Sequence, residues 1–131
     1  MNLIVLRDKY SVYKFRNESA LPDWIYSSDF YSITKTIDGL SVVALQVDSV
    51  PEDPLCNRDW RILKIEGPLD LSLTGIIADI ANTLKNKNIP IFAMSSYDTD
   101  YIMVKQKDLN IAIKALRENE HHITAVDDNL R

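Results

Sequence analysis

The second half of the chain carries the pattern that most constrains the fold, which is two helical periods separated by strand-like segments. Residues 60–67 are strand-like, and after them apolar residues recur at i, i+3, i+4, i+7, i+8 and i+11. The residues on this apolar face are Leu73, Ile76, Ile77, Ile80, Ala81 and Leu84. Because the spacing matches the turn of an α-helix, it predicts an amphipathic helix whose apolar face lies in the core.

The remaining segments of this half complete an alternating order. Residues 89–96 and 101–106 are strand-like and lie at hairpin distance from each other. Asp108 can cap a second helix, and a short strand-like segment follows at 121–126. The apolar face of this second helix consists of Leu109, Ala112, Ile113 and Leu116. The order predicts an α+β, ferredoxin-like βαββαβ unit, with both helices on one face of a four-stranded antiparallel sheet.

The first half of the chain is rich in strand patterns. Residues 3–6 and 10–15 are expected to pair with each other as one hairpin. Residues 31–36 and 40–47 flank the segment Ile37-Asp38-Gly39, and Asp-Gly between apolar alternations is typical of a hairpin turn. This half is therefore predicted to be a small, strand-rich unit.

The stretch between the halves suggests where they divide. Residues 48–60 contain two prolines and four acidic residues with little periodicity, and are predicted to be a linker. Within the first half, residues 21–29 have room for only a short helix. We therefore expect a reduced, strand-rich unit over residues 1–55 and a complete βαββαβ unit over residues 56–131.

Charge and cysteine content exclude several classes of function. The formal net charge of −4 gives no electrostatic attraction for nucleic acid. No apolar run approaches the roughly 18 residues that a membrane span needs, and the apolar run before Arg7 is too short for a secretory leader. The single cysteine, Cys56, cannot form an intrachain disulfide. We expect a cytoplasmic protein with no nucleic-acid partner and no membrane partner.

The loop at residues 66–76 is the first candidate site. Asp70 or Ser72 can cap the predicted helix, and Ser72 and Thr74 bring hydroxyl groups to its start. Gly75, placed inside the first turn, leaves room for ligand atoms, and the positive end of the helix dipole favours a carboxylate there. The alternative is a helix cap with a close contact between helix and sheet. The loop is not a phosphate-binding loop, since no Gly-Lys-Ser/Thr follows.

The second candidate is the turn at residues 95–100. Asp98 and Asp100 could hold an ammonium or guanidinium group. Alternatively, Asp98 and Thr99 are turn residues that bond their own backbone. No further oxygen ligands follow at an EF-hand spacing, so we expect no metal site.

Catalysis has little support in the sequence. Cys56 has no histidine near it in sequence to act as a base. His121 and His122 are neighbours on a strand, so their rings point to opposite faces and cannot share one site. We expect no catalytic residues, no cofactor and no enzyme activity.

The segments EGPLDLSLTG and IPIFAMSSYDTDYIMVKQKDL, residues 66–75 and 89–109, carry a family resemblance. They resemble the small bacterial ACT-domain proteins related to the CASTOR-type arginine sensors of animals. The similarity covers the second half nearly end to end. It continues more weakly through residues 31–36 and 40–47, which resemble a reduced first ACT unit.

The resemblance implies that the chain binds an amino acid or a similar small metabolite. By position in the family, the effector would contact two places, the loop at residues 66–76 with the helix start and the turn of the strand pair at residues 95–100. These residues are Asp70, Ser72, Thr74, Gly75, Ile76, Ser96, Tyr97 and Asp100. Ile89, Pro90 and Ile91 of a second copy would close the pocket. The arginine sensors have an acidic residue where this chain has Leu73, so arginine specificity does not transfer.

Two functions follow from the resemblance. The first is a regulatory module that binds an amino-acid-like effector and forms a homodimer, which would rebuild the fused arrangement of the sensors. Such a module would act on a regulated protein partner. The alternative is an ACT fold kept only for dimerisation and docking to a protein, with no ligand.

Overall fold

A computed structural model describes residues 1–17, 21–48, 55–66 and 75–125 of the 131-residue chain. The strands are β1 (Asn2–Val5), β2 (Tyr10–Phe15), β3 (Ser32–Thr36), β4 (Gly39–Leu45), β5 (Leu55–Ile65), β6 (Phe92–Ser95), β7 (Asp100–Lys105) and β8 (His122–Ala125). The helices are α1 (Ile76–Lys85), α2 (Leu109–Glu118) and two short 3-10 helices at Asp23–Ser27 and Gln106–Asp108. Within the described residues, no helix is long and apolar enough to cross a membrane.

The chain divides into two units, and the division differs from the predicted one in the place of its first strand. One unit combines Met1–Arg7 with Trp60–Arg131, and the other is Asp8–Asp59. The predicted boundary at residue 55 assigned β1 to the first unit. The structure groups β1 with the second half of the chain because β1 pairs with strands of that half.

The larger unit has the predicted α+β, ferredoxin-like order of strands and helices, with one additional strand. Its sheet runs β6-β7-β5-β1-β8. All pairs are antiparallel except β1 with β8, in which Leu3 lies opposite Ile123. The expected four-stranded antiparallel sheet is therefore a five-stranded mixed one. The predicted hairpin between residues 3–6 and 10–15 is wrong, because β1 pairs with β5 and β8, which buries Leu3 and Val5 in the core of this unit.

Both helices of this unit pack on one face of the sheet, as the periodicity predicts. The buried core cluster combines alternate strand residues with Ile80 and Leu84 of α1 and the apolar face of α2. All four residues predicted for that face of α2 are buried. Asp108 stands at the N-cap of α2 but makes no capping hydrogen bond with its side chain. Burial of the apolar face therefore stabilises α2 without help from the cap.

The smaller unit is built on the predicted hairpin. β3 pairs with β4, with Thr36 opposite Gly39 next to the turn, and β4 also pairs with β2. Gly39 has a φ of 124°, a conformation that residues with side chains rarely adopt, and this fixes the turn after Asp38. The core of this unit consists of Tyr13, Phe15, Ile25, Leu40, Val42 and Ala44.

Two further sequence predictions concern this unit. The short helix expected within residues 21–29 is present as the 3-10 helix Asp23–Ser27, which buries Ile25. The predicted linker is wrong from Leu55 onward, because β5 begins there. The acidic and proline residues of this stretch are typical of a linker, so the sequence analysis did not predict the start of β5.

The buried side chain of Tyr13 is part of the core of the smaller unit. Burial raises the pKa of its phenol, and its hydroxyl donates to the Leu45 carbonyl at 3.0 Å. Tyr13 is therefore a structural residue.

Candidate functional site

The turn between β6 and β7 is closed by hydrogen bonds among its own residues. The Ser96 amide donates to the Thr99 carbonyl at 2.8 Å. The Ser96 hydroxyl donates to the same carbonyl at 3.0 Å and accepts from the Thr99 amide at 3.3 Å. Three bonds between these two residues restrain the backbone of the turn.

Thr99 also ties the turn to the end of β5. Its hydroxyl donates to the Ile65 carbonyl at 2.7 Å, and the side chain is only 3% exposed. A buried hydrogen bond of this kind costs free energy to break because the carbonyl would be left without a partner. Sequence reasoning treated Thr99 as a turn residue bonded to its own backbone and missed this link. The register of β7 on β5, which places Tyr101 opposite Lys64, is what brings Thr99 to Ile65.

Asp100 is the oriented carboxylate of the turn. Its Oδ1 accepts a hydrogen bond of 2.5 Å from the Ser95 hydroxyl, and the side chain is half-buried. Among the described residues, its Oδ2 has no hydrogen-bond partner. Asp98 is exposed, and Tyr97 is 84% exposed. The turn therefore presents one oriented carboxylate, at Asp100, and one exposed aromatic ring, at Tyr97.

Gly75 stands immediately before α1, which corrects its predicted place inside the first turn. Its φ of 83° is left-handed, and its carbonyl accepts from the Asp79 amide at 2.9 Å. A Cβ at Gly75 would meet no atom of the described residues within 4 Å, and the left-handed backbone conformation by itself favours glycine here. Ile76 follows as the first helical residue and packs partly against the core. Asp70, Ser72 and Thr74 lie outside the described residues.

The start of α1 has features that suit an anion. Amides in the first turn of a helix lack intrahelical partners, and the N-cap residue Gly75 makes no side-chain hydrogen bond to those of α1. Ile76, the first residue of α1, packs partly against the core cluster of the larger unit. The turn that carries Asp100 is bonded to the end of β5 through Thr99.

The three predicted pocket-closing residues differ in exposure. Ile89 is 6% exposed and belongs to the core of its own unit, so its side chain has little surface to offer a second copy. Pro90 is exposed and Ile91 is half-buried. Together with Ala78 and Ala81 of α1, they line a groove of about 490 Å³.

A polar cluster that the sequence analysis did not predict holds α1 by its side chains Asp79 and Thr83. His121 is 7% exposed, and its Nε2 lies 3.0 Å from Oδ2 of Asp79. Asn119 donates to the Thr83 hydroxyl at 3.0 Å. His122 is exposed, as the alternation along the strand requires. The cluster joins α1 to the segment before β8.

The described residues contain no group of three or more His, Cys, Asp or Glu side chains that could hold a metal ion. Cys56, exposed at the start of β5, has no imidazole in its own unit.

Two family models match separate parts of the chain. Residues 55–118 match the family model of the ACT domain. Residues 8–53 match a second model, described as an N-terminal domain.

Solved structures share the fold. A protein of Agobacterium tumefaciens is 29% identical, with a TM-score of 0.86 over 99% of this chain and 96% of that chain. The regulatory subunit of aspartate kinase from Thermus flavus is 7% identical, with a TM-score of 0.64 over 90% of this chain and 96% of that chain. The aspartate kinase of Clostridium acetobutylicum is 15% identical, with a TM-score of 0.64 over 86% of this chain but 33% of that chain. Residues 55–118 thus match the ACT domain family, and the chain has the ferredoxin-like α+β fold of ACT-type regulatory domains.

Proposed function

We propose that the chain is a regulatory module, without catalytic activity, that binds an amino-acid-like effector between the β6–β7 turn and the start of α1. The observation that carries the proposal is the fixed Asp100 carboxylate, held by Ser95 on a turn that Thr99 anchors to β5. The match to the ACT domain family supports a regulatory role.

The chemistry of the proposed site is that of a zwitterion. The effector carboxylate would accept hydrogen bonds from amides at the start of α1, where the helix dipole is positive. The ammonium or a side-chain cation would meet the free Oδ2 of Asp100. Ser96, Tyr97, Gly75 and Ile76 would complete the contacts, and Asp70, Ser72 and Thr74 join them on the family resemblance alone.

A thermal-shift screen against the twenty amino acids and common nucleotides tests this function. A ligand that binds only the folded chain stabilises it by about 2.7 kcal/mol at a hundredfold excess over its Kd, which raises the melting temperature by several degrees. We expect a rise with one or a few amino acids and none with nucleotides. If no amino acid changes the melting temperature, effector binding is wrong.

The proposed ligand class is amino acids and similar small metabolites. The likeness to the arginine sensors is a prediction from sequence, and Leu73 stands where those sensors have an acidic residue. An effector of about a dozen heavy atoms at roughly 0.5 kcal/mol each would gain about 6 kcal/mol, which corresponds to tens of micromolar. This range suits a module that responds to free metabolite concentrations in the cytoplasm, where we place the protein.

Dimerisation and docking form the second candidate function. Within its own unit β6 pairs with β7 alone among the described strands, and the groove beside Pro90 and Ile91 offers apolar surface next to that edge. An open strand edge invites pairing with another chain. We propose a homodimer in which residues 89–94 and α1 supply much of the contact. The dimer would then bind a regulated protein partner.

Sedimentation velocity tests the homodimer. We expect the chain to sediment as a dimer well above micromolar concentration. Ile91→Arg should shift it to monomer, because a charge would be buried in the apolar contact. Ile111→Arg, on an exposed part of α2, is the matched control and should leave the dimer intact. A wild-type chain that remains a monomer at these concentrations contradicts the proposal.

A further inference from the structure

The smaller unit contains a cavity that the proposed effector site does not use. It has a volume of about 460 Å³ and lies among β2, the tip of the β3–β4 hairpin and the start of β5. Val12, Leu40 and Leu55 supply apolar surface to its lining. The volume falls within the range of small-molecule sites, which combine apolar walls with a few polar groups.

Two opposite charges line this cavity. Lys14 comes from β2 and Asp38 from the hairpin tip, and both side chains are exposed. A Cβ added to Gly39 would lie 3.5 Å from Cε of Lys14, so the lysine side chain passes beside the hairpin tip. Among the described residues, neither charged group forms an ion pair. The cavity therefore offers one free ammonium and one free carboxylate at its border.

We propose that this cavity binds a small zwitterion with an apolar side chain, such as an aliphatic or aromatic amino acid. The ligand carboxylate meets Lys14 and its ammonium meets Asp38, since opposite charges attract most strongly at contact distance. The apolar side chain lies against Val12 and Leu55. This site is separate from the one that contains Asp100, because all its residues belong to the other unit.

Cys56 provides a direct readout of occupancy. It is the single cysteine of the chain, it is exposed, and it lines the cavity. The rate at which iodoacetamide alkylates Cys56 should fall in the presence of L-leucine or L-phenylalanine, because a bound ligand shields the thiol. 4-Methylpentanoate, which lacks the ammonium of leucine, and 3-methylbutylamine, which lacks the carboxylate, should protect much less. If neither amino acid slows alkylation, or if 4-methylpentanoate protects as well as leucine, the proposal is wrong.

Substitutions of Lys14 and Asp38 test whether these two charges bind the ligand. Lys14→Met and Asp38→Asn should each weaken the protective affinity of leucine about fivefold, the scale expected for a partly exposed charge pair. Lys107→Met and Asp98→Asn remove the same charges from exposed positions of the other unit and should leave protection unchanged. Asp100→Ala should also leave it unchanged, which separates this test from that of the effector site. Equal effects of Lys14→Met and Lys107→Met would overturn the assignment.

Discussion

Asp100→Ala is expected to weaken effector binding about thirtyfold, or about 2 kcal/mol. The carboxylate is oriented by the Ser95 hydroxyl and has one oxygen free to meet a cation, so its removal leaves the ligand ammonium without its partner. Isothermal titration with the amino acid that raises the melting temperature most measures the loss.

Asp98→Asn is the matched control for this experiment. Asp98 lies on the same turn, two residues away, but is exposed. Its loss removes the same charge from the turn without removing an oriented group, so binding should change little. If Asp98→Asn weakened binding while Asp100→Ala did not, the site would be misplaced. If neither variant changed binding, the docking function would gain support.

Leu116→Ala is expected to lower the free energy of unfolding by about 3 kcal/mol. Leu116 is fully buried in the core cluster that joins α2 to the sheet, and truncation leaves a cavity that a packed interior cannot close. Urea denaturation followed by circular dichroism measures the change.

Ile111→Ala gives the comparison on the same helix. Ile111 is 53% exposed, so the same type of truncation removes few core contacts and should cost about 0.5 kcal/mol or less. Equal losses for the two variants would mean that α2 does not pack by the face formed by its buried residues.

Local patterns in the sequence predicted much of this fold. The helical periods that end at Leu84 and Leu116 identified the buried faces of α1 and α2, because a repeat of 3.6 residues places side chains on one side whatever the rest of the chain does. The Asp38-Gly39 hairpin was predicted for a similar reason, since the turn needs a residue that tolerates positive φ and Gly39 supplies it.

The candidate site was predicted only in part. The turn with Ser96 and Asp100 was proposed as a site from its composition, and the structure shows which hydrogen bonds these two residues make. The role of Thr99 was missed, because its partner Ile65 lies 34 residues away in the chain. The contact between Asp79 and His121 was missed for the same reason, because these residues lie 42 positions apart in the chain.

The path of the first strand was decided by tertiary structure alone. Nothing in residues 2–5 distinguishes pairing with the next segment from insertion between β5 and β8. Insertion buries Leu3 and Val5 in the core cluster that also contains residues of α1 and α2, and burial of apolar surface outweighs proximity in the chain. Ile89 likewise looked available to a partner in the sequence and is buried in its own core. Sequence periodicity therefore determined which faces are apolar, and packing determined what each face meets.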